Sequence, residues 1–167
     1  IMTNLKKNQN EKTQEVLVDI LKDAKVMMLN TLSKEGKIVT RPMQAQEIEF
    51  DGDLWFITRK DTEKYEEIKA NPMVNVAVAG DSYASISGKA VFIDDKERKK
   101  EFWNKAYEKM FDLSYDDPIL VLIKVEADTA EYWETGNTTK SIANFFKKVV
   151  GNDSVKSGEN TNETVDL

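Results

Sequence analysis

Three basic side chains lie close together in the first half of the sequence and could bind a phosphate group. Arg59, Lys60 and Lys64 follow a hydrophobic strand-like run, at the start of a short helix that ends before Pro72. The start of a helix presents unpaired backbone N–H groups and a partial positive charge, both of which attract anions. Lysine and arginine add full charges and hydrogen-bond donors. The segment 40–71 therefore predicts a phosphate site for a bound cofactor.

Lys64 has two interpretations. In the first turn of a helix it carries a positive charge where the helix dipole is already positive, which costs about 0.3–1 kcal/mol. A bound phosphate would make the positive charge of Lys64 favourable at this position. In the alternative, Lys64 is a solvated side chain paired with Asp61 or Glu63, and such surface pairs contribute little stability.

Arg41 also has two interpretations. It precedes Pro42, which restricts its backbone to extended conformations. It lies in a strand-like region, where a buried or half-buried guanidinium requires an anionic partner. That partner is either a bound anion or a carboxylate of the protein, and the residues alone favour neither.

The composition excludes several classes of chemistry. The 167 residues include no cysteine and no histidine, which excludes disulfides, thiolate nucleophiles, Ser-His-Asp catalysis and histidine-ligated zinc or haem. Metal binding by carboxylates alone stays open, but no EF-hand spacing is present, and we predict no metal site. The net charge of −6 argues against nucleic acid and anionic membranes as main partners. No apolar stretch approaches the roughly 20 residues that span a bilayer, and we expect a cytoplasmic protein.

Most of the elements that position these residues are predicted to be strands. Apolar residues at helical spacing predict a helix over 12–24. Further helices are predicted over 63–70, after a cap at Asp61 or Thr62, and after Asp94 or Asp95, as one stripe running to Met110. Strands are predicted over 25–31, 53–58, 73–79, 84–93 and 119–133, and residues 37–49 are predicted to form a strand pair or one long bent strand, with Asp51-Gly52 as a hairpin signal. This pattern favours an antiparallel barrel with two or three peripheral helices.

The chain is divided into one main domain and a C-terminal extension. We predict that residues 1–137 form the barrel with its N-terminal helix, and that 138–150 form an amphipathic helix. Residues 151–167 contain few apolar side chains and are predicted to be a disordered tail. Within the barrel, Gly88 indicates a β-bulge or a close backbone approach, and the last strand is expected to bend near 127–128.

The order and spacing of these motifs resemble the FMN-binding split-barrel superfamily related to pyridoxamine 5′-phosphate oxidase, most closely its general stress protein branch. The resemblance runs from about residue 24 to residue 133. Its carriers are Thr40-Arg41-Pro42-Met43, the run from Phe50 to Thr58, Lys64 through Asn71-Pro72, the run from Ser85 to Ala90, and Ala130-Glu131-Tyr132-Trp133. It implies a mainly β fold with peripheral helices, built as an antiparallel split β-barrel of Greek-key type.

The resemblance also implies a homodimer that binds FMN at the subunit interface. Arg41 and Lys64 would hold the FMN phosphate, with Thr62 near it. The partner subunit's Trp133 would reach the cofactor, and Tyr83 is a further candidate. The residues implied to border the isoalloxazine ring are Pro42, Met43, Ile57 and Thr58.

Two departures from the family pattern limit what the resemblance implies. Glu63 stands where relatives commonly carry arginine or lysine, which predicts weaker FMN retention. True pyridoxamine phosphate oxidases bind substrate with a C-terminal arginine and histidine, whereas this chain has no histidine and no arginine after Arg98. We therefore expect no pyridoxamine phosphate oxidase activity.

The function implied by the resemblance is a general stress flavoprotein. FMN would carry hydride or electrons between a small-molecule donor and acceptor. One alternative is a flavin sensor or buffer without turnover, because no proton-transfer residue is identifiable near the flavin. Another is a split barrel that binds a deazaflavin or haem, and the lack of histidine weakens the haem version.

Overall fold

The computed structural model describes residues 2–46, 51–134 and 161–166. The described helices are α1 (Met2–Asp23), α2 (Glu63–Ala70), α3 (Lys96–Phe102) and α4 (Lys105–Phe111). The described strands are β1 (Val26–Leu32), β2 (Ile38–Gln44), β3 (Asp53–Arg59), β4 (Met73–Ala79), β5 (Tyr83–Ile93), β6 (Leu120–Glu134) and β7 (Thr161–Asp166). The helix predicted over 138–150 lies outside the described residues. None of the described helices combines the length and the apolar character that a membrane span requires.

The described strands form one antiparallel sheet that curls into a half-barrel. Its order is β2-β1-β4-β5-β6-β3, and β7 pairs with β6. The end strands β2 and β3 approach each other across the opening of the curled sheet. The predicted antiparallel barrel with peripheral helices is therefore confirmed. Pro42 lies in β2, an end strand, where its missing N–H costs no ladder hydrogen bond.

Two apolar cores lie on the two faces of β3. Leu54 and Phe56 face the first core, where α1 contributes the fully buried Leu17. Trp55 and Ile57 face the second core, which α3 and α4 cover. Because successive side chains of a strand point to opposite faces, burial on both sides requires an unbroken apolar run. This explains the hydrophobic stretch that precedes α2.

A β-bulge bends the long strands β5 and β6. Ser87 lies opposite Thr129 and Gly88 lies opposite Ala127, so Asp128 is an extra residue in β6. The backbones are so close here that a Cβ at Gly88 would lie 2.3 Å from the carbonyl oxygen of Glu126. Both the predicted bulge at Gly88 and the predicted bend near 127–128 are confirmed.

The single helix predicted after Asp95 is two helices. α3 ends at Phe102, and Asn104 caps α4 by accepting hydrogen bonds from the N–H groups of Ala106 and Tyr107. A short polar side chain that bonds nearby backbone in this way interrupts a helix. Met110, predicted on the buried stripe, is 57% exposed, because α4 does not continue the helical phase of α3.

Two other predictions differ from the structure in part. Gly52 has a φ of 106°, as a tight turn requires, and β3 pairs with β6 and not with β2 among the described residues. Residues 47–50, which would form the other arm of the predicted hairpin, lie outside the described residues. The disordered tail predicted over 151–167 includes the six residues of β7. β7 pairs with residues 129–134 of β6, beyond the stretch that β3 covers. Ladder hydrogen bonds use the backbone alone, so a strand can form there without an apolar pattern.

We predict that Gly88→Ala destabilises the fold by about 1–3 kcal/mol, because the new methyl group must displace the β6 backbone. Urea unfolding would measure the change. Gly80→Ala is the matched control, since the nearest atom to its Cβ lies 3.9 Å away. Equal effects of the two substitutions would contradict the role assigned to the bulge.

Candidate functional site

Local sequence fixes α2 directly after β3. Thr62 caps the helix: its hydroxyl accepts a hydrogen bond from the N–H of Tyr65 and donates one of 2.9 Å to the carbonyl of Arg59. Ile68 is buried against the first core, and the ring of Tyr65 packs on Phe92. The predicted helix over 63–70 and its cap at Thr62 are confirmed.

Arg41 of β2 is held by a ring of hydrogen bonds. Its Nη1 donates to Thr31 Oγ1 at 2.9 Å, and its Nη2 donates to Glu67 Oε2 at 3.1 Å. The Thr31 hydroxyl closes the ring by donating to the same Glu67 oxygen at 2.7 Å. The internal carboxylate partner considered for Arg41 is therefore present.

Two members of this ring are buried. Thr31 is 3% exposed and Glu67 is 7% exposed. Burial alone would raise the pKa of Glu67, but hydrogen bonds from Thr31 and Arg41 outweigh it and hold the pKa below its usual value. Glu67 is therefore a buried carboxylate that stays ionised through its contacts with Thr31 and Arg41.

Lys64 is a half-buried cation. Its Nζ lies 3.4 Å from the Sδ of Met43, and it makes no ion pair with any residue that the structure describes. Burial, and then the nearby positive charge of Arg41, lower the pKa of Lys64 to about 8. The alternative of a solvated Lys64 paired with Asp61 or Glu63 is not what the structure shows.

The other two basic residues of the predicted cluster lie in separate ion pairs. Arg59 makes two hydrogen bonds to the carboxylate of Asp61, at 2.9 and 2.7 Å. Lys60 contacts Asp94 at 2.7 Å. The structure therefore replaces the predicted Arg59–Lys60–Lys64 cluster with a site that joins Lys64 to Arg41.

The predicted ring-bordering residues lie on the two rims of the sheet opening. Five successive antiparallel pairings connect β2 to β3, so the two end strands run antiparallel across the opening. Pro42 is exposed and Met43 is buried on the β2 rim. Ile57 and Thr58 are buried on opposite faces of β3. The side chain of Ile57 belongs to the second core.

Trp133 and Tyr83 lie elsewhere in the chain. They are cross-strand partners on β6 and β5, and both are half-buried. β1 and β4 separate these strands from β2 in the sheet. The chain does not itself bring either aromatic side chain to Arg41 and Lys64, and the predicted role of Trp133 concerns a partner subunit.

Thr31 and Glu67 were not predicted as site residues. A signal for Glu67 was present, because it follows Lys64 by three positions and therefore shares its helix face. It also precedes Ile68, an apolar residue of the same helix that is buried in the first core. No local signal marks Thr31, whose contact depends on the β1–β2 register.

A cavity of about 810 Å³ does not include the two cations of this site. It is lined by the end of α1, the end of β2 and the first half of β3, and neither Arg41 nor Lys64 contributes to it. Within the described part of the chain, no three acidic side chains cluster closely enough to hold a metal ion. The two neighbouring cations Arg41 and Lys64 are therefore the feature whose chemistry suits an anion.

Comparison with known proteins identifies the family. Residues 12–156 match the family model described as pyridoxamine 5′-phosphate oxidase like. The protein belongs to this family. This pyridoxamine 5′-phosphate oxidase-like chain is 34% identical over 139 residues to General stress protein 26 of Bacillus subtilis (strain 168), a match covering 79% of this chain and 95% of the relative.

Solved structures confirm the split-barrel fold. General Stress Protein 26 of Bacillus anthracis str. Sterne is 28% identical, with a TM-score of 0.65 over 72% of this chain and 92% of the other. A general stress protein 26 of Jannaschia sp. CCS1 is 24% identical, with a TM-score of 0.70 over 94% of this chain and 99% of the other. The second likeness shows the fold alone. The family expected from the sequence is confirmed.

We predict that Thr62→Ala lowers the free energy of unfolding of this family member by about 0.5–2 kcal/mol, because the N-terminus of α2 loses its cap. Chemical denaturation followed by circular dichroism would measure the loss. Thr62→Ser keeps the hydroxyl and should retain most of the stability. An equal loss in both variants would show that the methyl group, not the cap, matters.

Proposed function

We propose that this protein is an FMN-binding oxidoreductase of the general stress type, with the FMN phosphate held by Arg41 and Lys64. One observation carries the proposal: the Lys64 ammonium lies half-buried near the Arg41 guanidinium, and no described carboxylate pairs with it. Two like charges in a partly desolvated place oppose each other. A phosphate group between them would offset that cost.

The donors available at the site suit a phosphate. A guanidinium has five N–H donors, and an ammonium has three. The ring with Thr31 and Glu67 accounts for two of the Arg41 donors. The first turn of α2 begins at Glu63, beside Lys64, and adds backbone N–H groups with a partial positive charge.

The two rims of the opening suit a flat ring next to the phosphate. β2 and β3 are end strands of the described sheet, so each has a backbone edge that can bond the polar edge of a flavin. Met43 would supply an apolar contact, with Pro42, Ile57 and Thr58 along the rims. When bound, FMN supplies the hydride or electron transfer, and the protein binds it and limits water access.

We further propose that the protein acts as a homodimer in the cytoplasm. The partner subunit's Trp133 would then complete the site, and a small-molecule donor and acceptor would exchange electrons with the flavin. The general stress assignment is supported by the likeness to General stress protein 26 of Bacillus subtilis (strain 168). Pyridoxamine phosphate oxidation is not proposed, because the chain has no histidine.

We predict saturable FMN binding that Arg41→Ala and Lys64→Ala each weaken by about 1.5–3 kcal/mol, the value of a hydrogen bond to a charged group. This corresponds to about 10- to 150-fold in Kd. Titration followed by flavin fluorescence would measure it. Arg59→Ala and Lys69→Ala are matched controls that remove exposed charges outside the site.

The same titration separates the alternatives. Absence of saturable binding at tens of micromolar FMN would contradict the proposal. An absorption spectrum of freshly purified protein would reveal a deazaflavin or haem instead. Saturable FMN binding without oxidation of reduced nicotinamide would favour a flavin sensor or buffer over an oxidoreductase.

We predict that FMN affinity is highest between about pH 6 and 8. A phosphate monoester reaches its full charge above a pKa of about 6. The pKa of Lys64 in the free protein is about 8, so above that pH the ammonium must take up a proton to bind the anion. The affinity for FMN should therefore decline above pH 8 in the wild type. In Lys64→Ala this decline should be absent, as measured by FMN titrations across the pH range. A decline that persists in Lys64→Ala would assign the effect to another group.

A further inference from the structure

We infer that Glu67 is a positioning residue that orients the Arg41 guanidinium for the phosphate. The inference rests on the proposed FMN site and adds a residue that does not itself contact the ligand. Its basis is the closed ring of hydrogen bonds that joins Thr31, Arg41 and Glu67.

The ring fixes the plane of the guanidinium. Nη1 and Nη2 bond two different side chains, and those two side chains bond each other. A guanidinium is planar, with its donors in a rigid fork, so two fixed bonds also fix the directions of the remaining donors. Arg41 has a 20% exposed side chain, which leaves part of the guanidinium accessible to a ligand.

One face of α2 carries both Glu67, which contacts Arg41, and Lys64, the second cation of the site. Lys64 and Glu67 are three positions apart in α2 and therefore share a face. Glu67 bonds Arg41 directly, whereas Lys64 lies near enough for the charge of Arg41 to affect it. The guanidinium thus contacts the Glu67 carboxylate and lies close enough to the Lys64 ammonium for the two positive charges to interact.

α2 has other attachments that hold it without Glu67. Ile68 is buried in the first core, and Tyr65 packs on Phe92 with ring centroids 4.5 Å apart. Thr62 caps the first turn independently. Loss of Glu67 should therefore release Arg41 while α2 remains in place.

Glu67 has two opposing effects on an anion. Its contacts preorganise Arg41, and preorganisation favours binding. Its negative charge repels the phosphate. Glutamine separates the two, because its amide oxygen can accept both hydrogen bonds without carrying a charge.

The test is a double-mutant cycle on the full chain, with FMN titration as the readout. We expect Glu67→Ala to weaken FMN binding at least tenfold in the wild-type background. In the Arg41→Ala background, Glu67→Ala should cause no further loss, because Glu67 acts through Arg41. Glu67→Gln should bind within about threefold of the wild type. Glu66→Ala, an exposed neighbour in the same helix, serves as the control.

Three outcomes would overturn the inference while FMN binding by the wild type stands. These are an unchanged Kd in Glu67→Ala, an equal loss in both backgrounds, and a loss in Glu67→Gln as large as in Glu67→Ala. If Glu67→Ala fails to fold, as judged by circular dichroism, the Glu67→Gln result decides alone. Absence of saturable FMN binding by the wild type would instead overturn the proposed function, and the role of Glu67 with it.

Discussion

The ring of hydrogen bonds among Thr31, Arg41 and Glu67 is the interaction on which the candidate site depends. It joins β1, β2 and α2 through three side chains. Removing one partner of a buried ion pair leaves an uncompensated charge, which is strongly destabilising. Each charged partner therefore constrains the other, and α2 cannot rotate against the sheet without breaking the ring. Lys64 lies one turn earlier in α2, with its Nζ 3.4 Å from the Sδ of Met43.

The curvature of the sheet brings the two rims of the site together. The extra residue Asp128 bends β6, and a bulge of this kind increases the local twist. Before the bend β6 pairs with β3, and after it with β7. β2 and β3 are at opposite ends of the strand order, and the bend lets them approach each other across the opening. Because α2 follows β3 directly, the position of Lys64 depends on a bulge in strands remote from it.

Much of this arrangement could be predicted from the sequence, for reasons that differ among elements. The helical cap at Thr62 and the bulge at Gly88 are local features. The hydroxyl of Thr62 forms the cap, and the missing side chain of Gly88 permits the close backbone approach at the bulge. Strand partners are not local. Gly52 has the positive φ of a tight turn, but the neighbour of β3 is decided by long-range packing. The predicted cluster of Arg59, Lys60 and Lys64 does not form, because Arg59 pairs locally with Asp61 and Lys60 pairs with the distant Asp94.

The structure also changes which negative charge matters for the site. The sequence directed attention to Glu63, but that side chain is exposed and makes no ion pair with the described residues. Exposed charges are screened over about 8 Å at physiological salt. Glu67 is buried and bonded to Arg41, where screening is weak. The net charge of Arg41, Lys64 and Glu67 together is +1, enough to attract a phosphate but less than two unopposed cations would give. In this geometry Glu67, rather than the exposed Glu63, would set the balance between orientation and attraction at the proposed anion site.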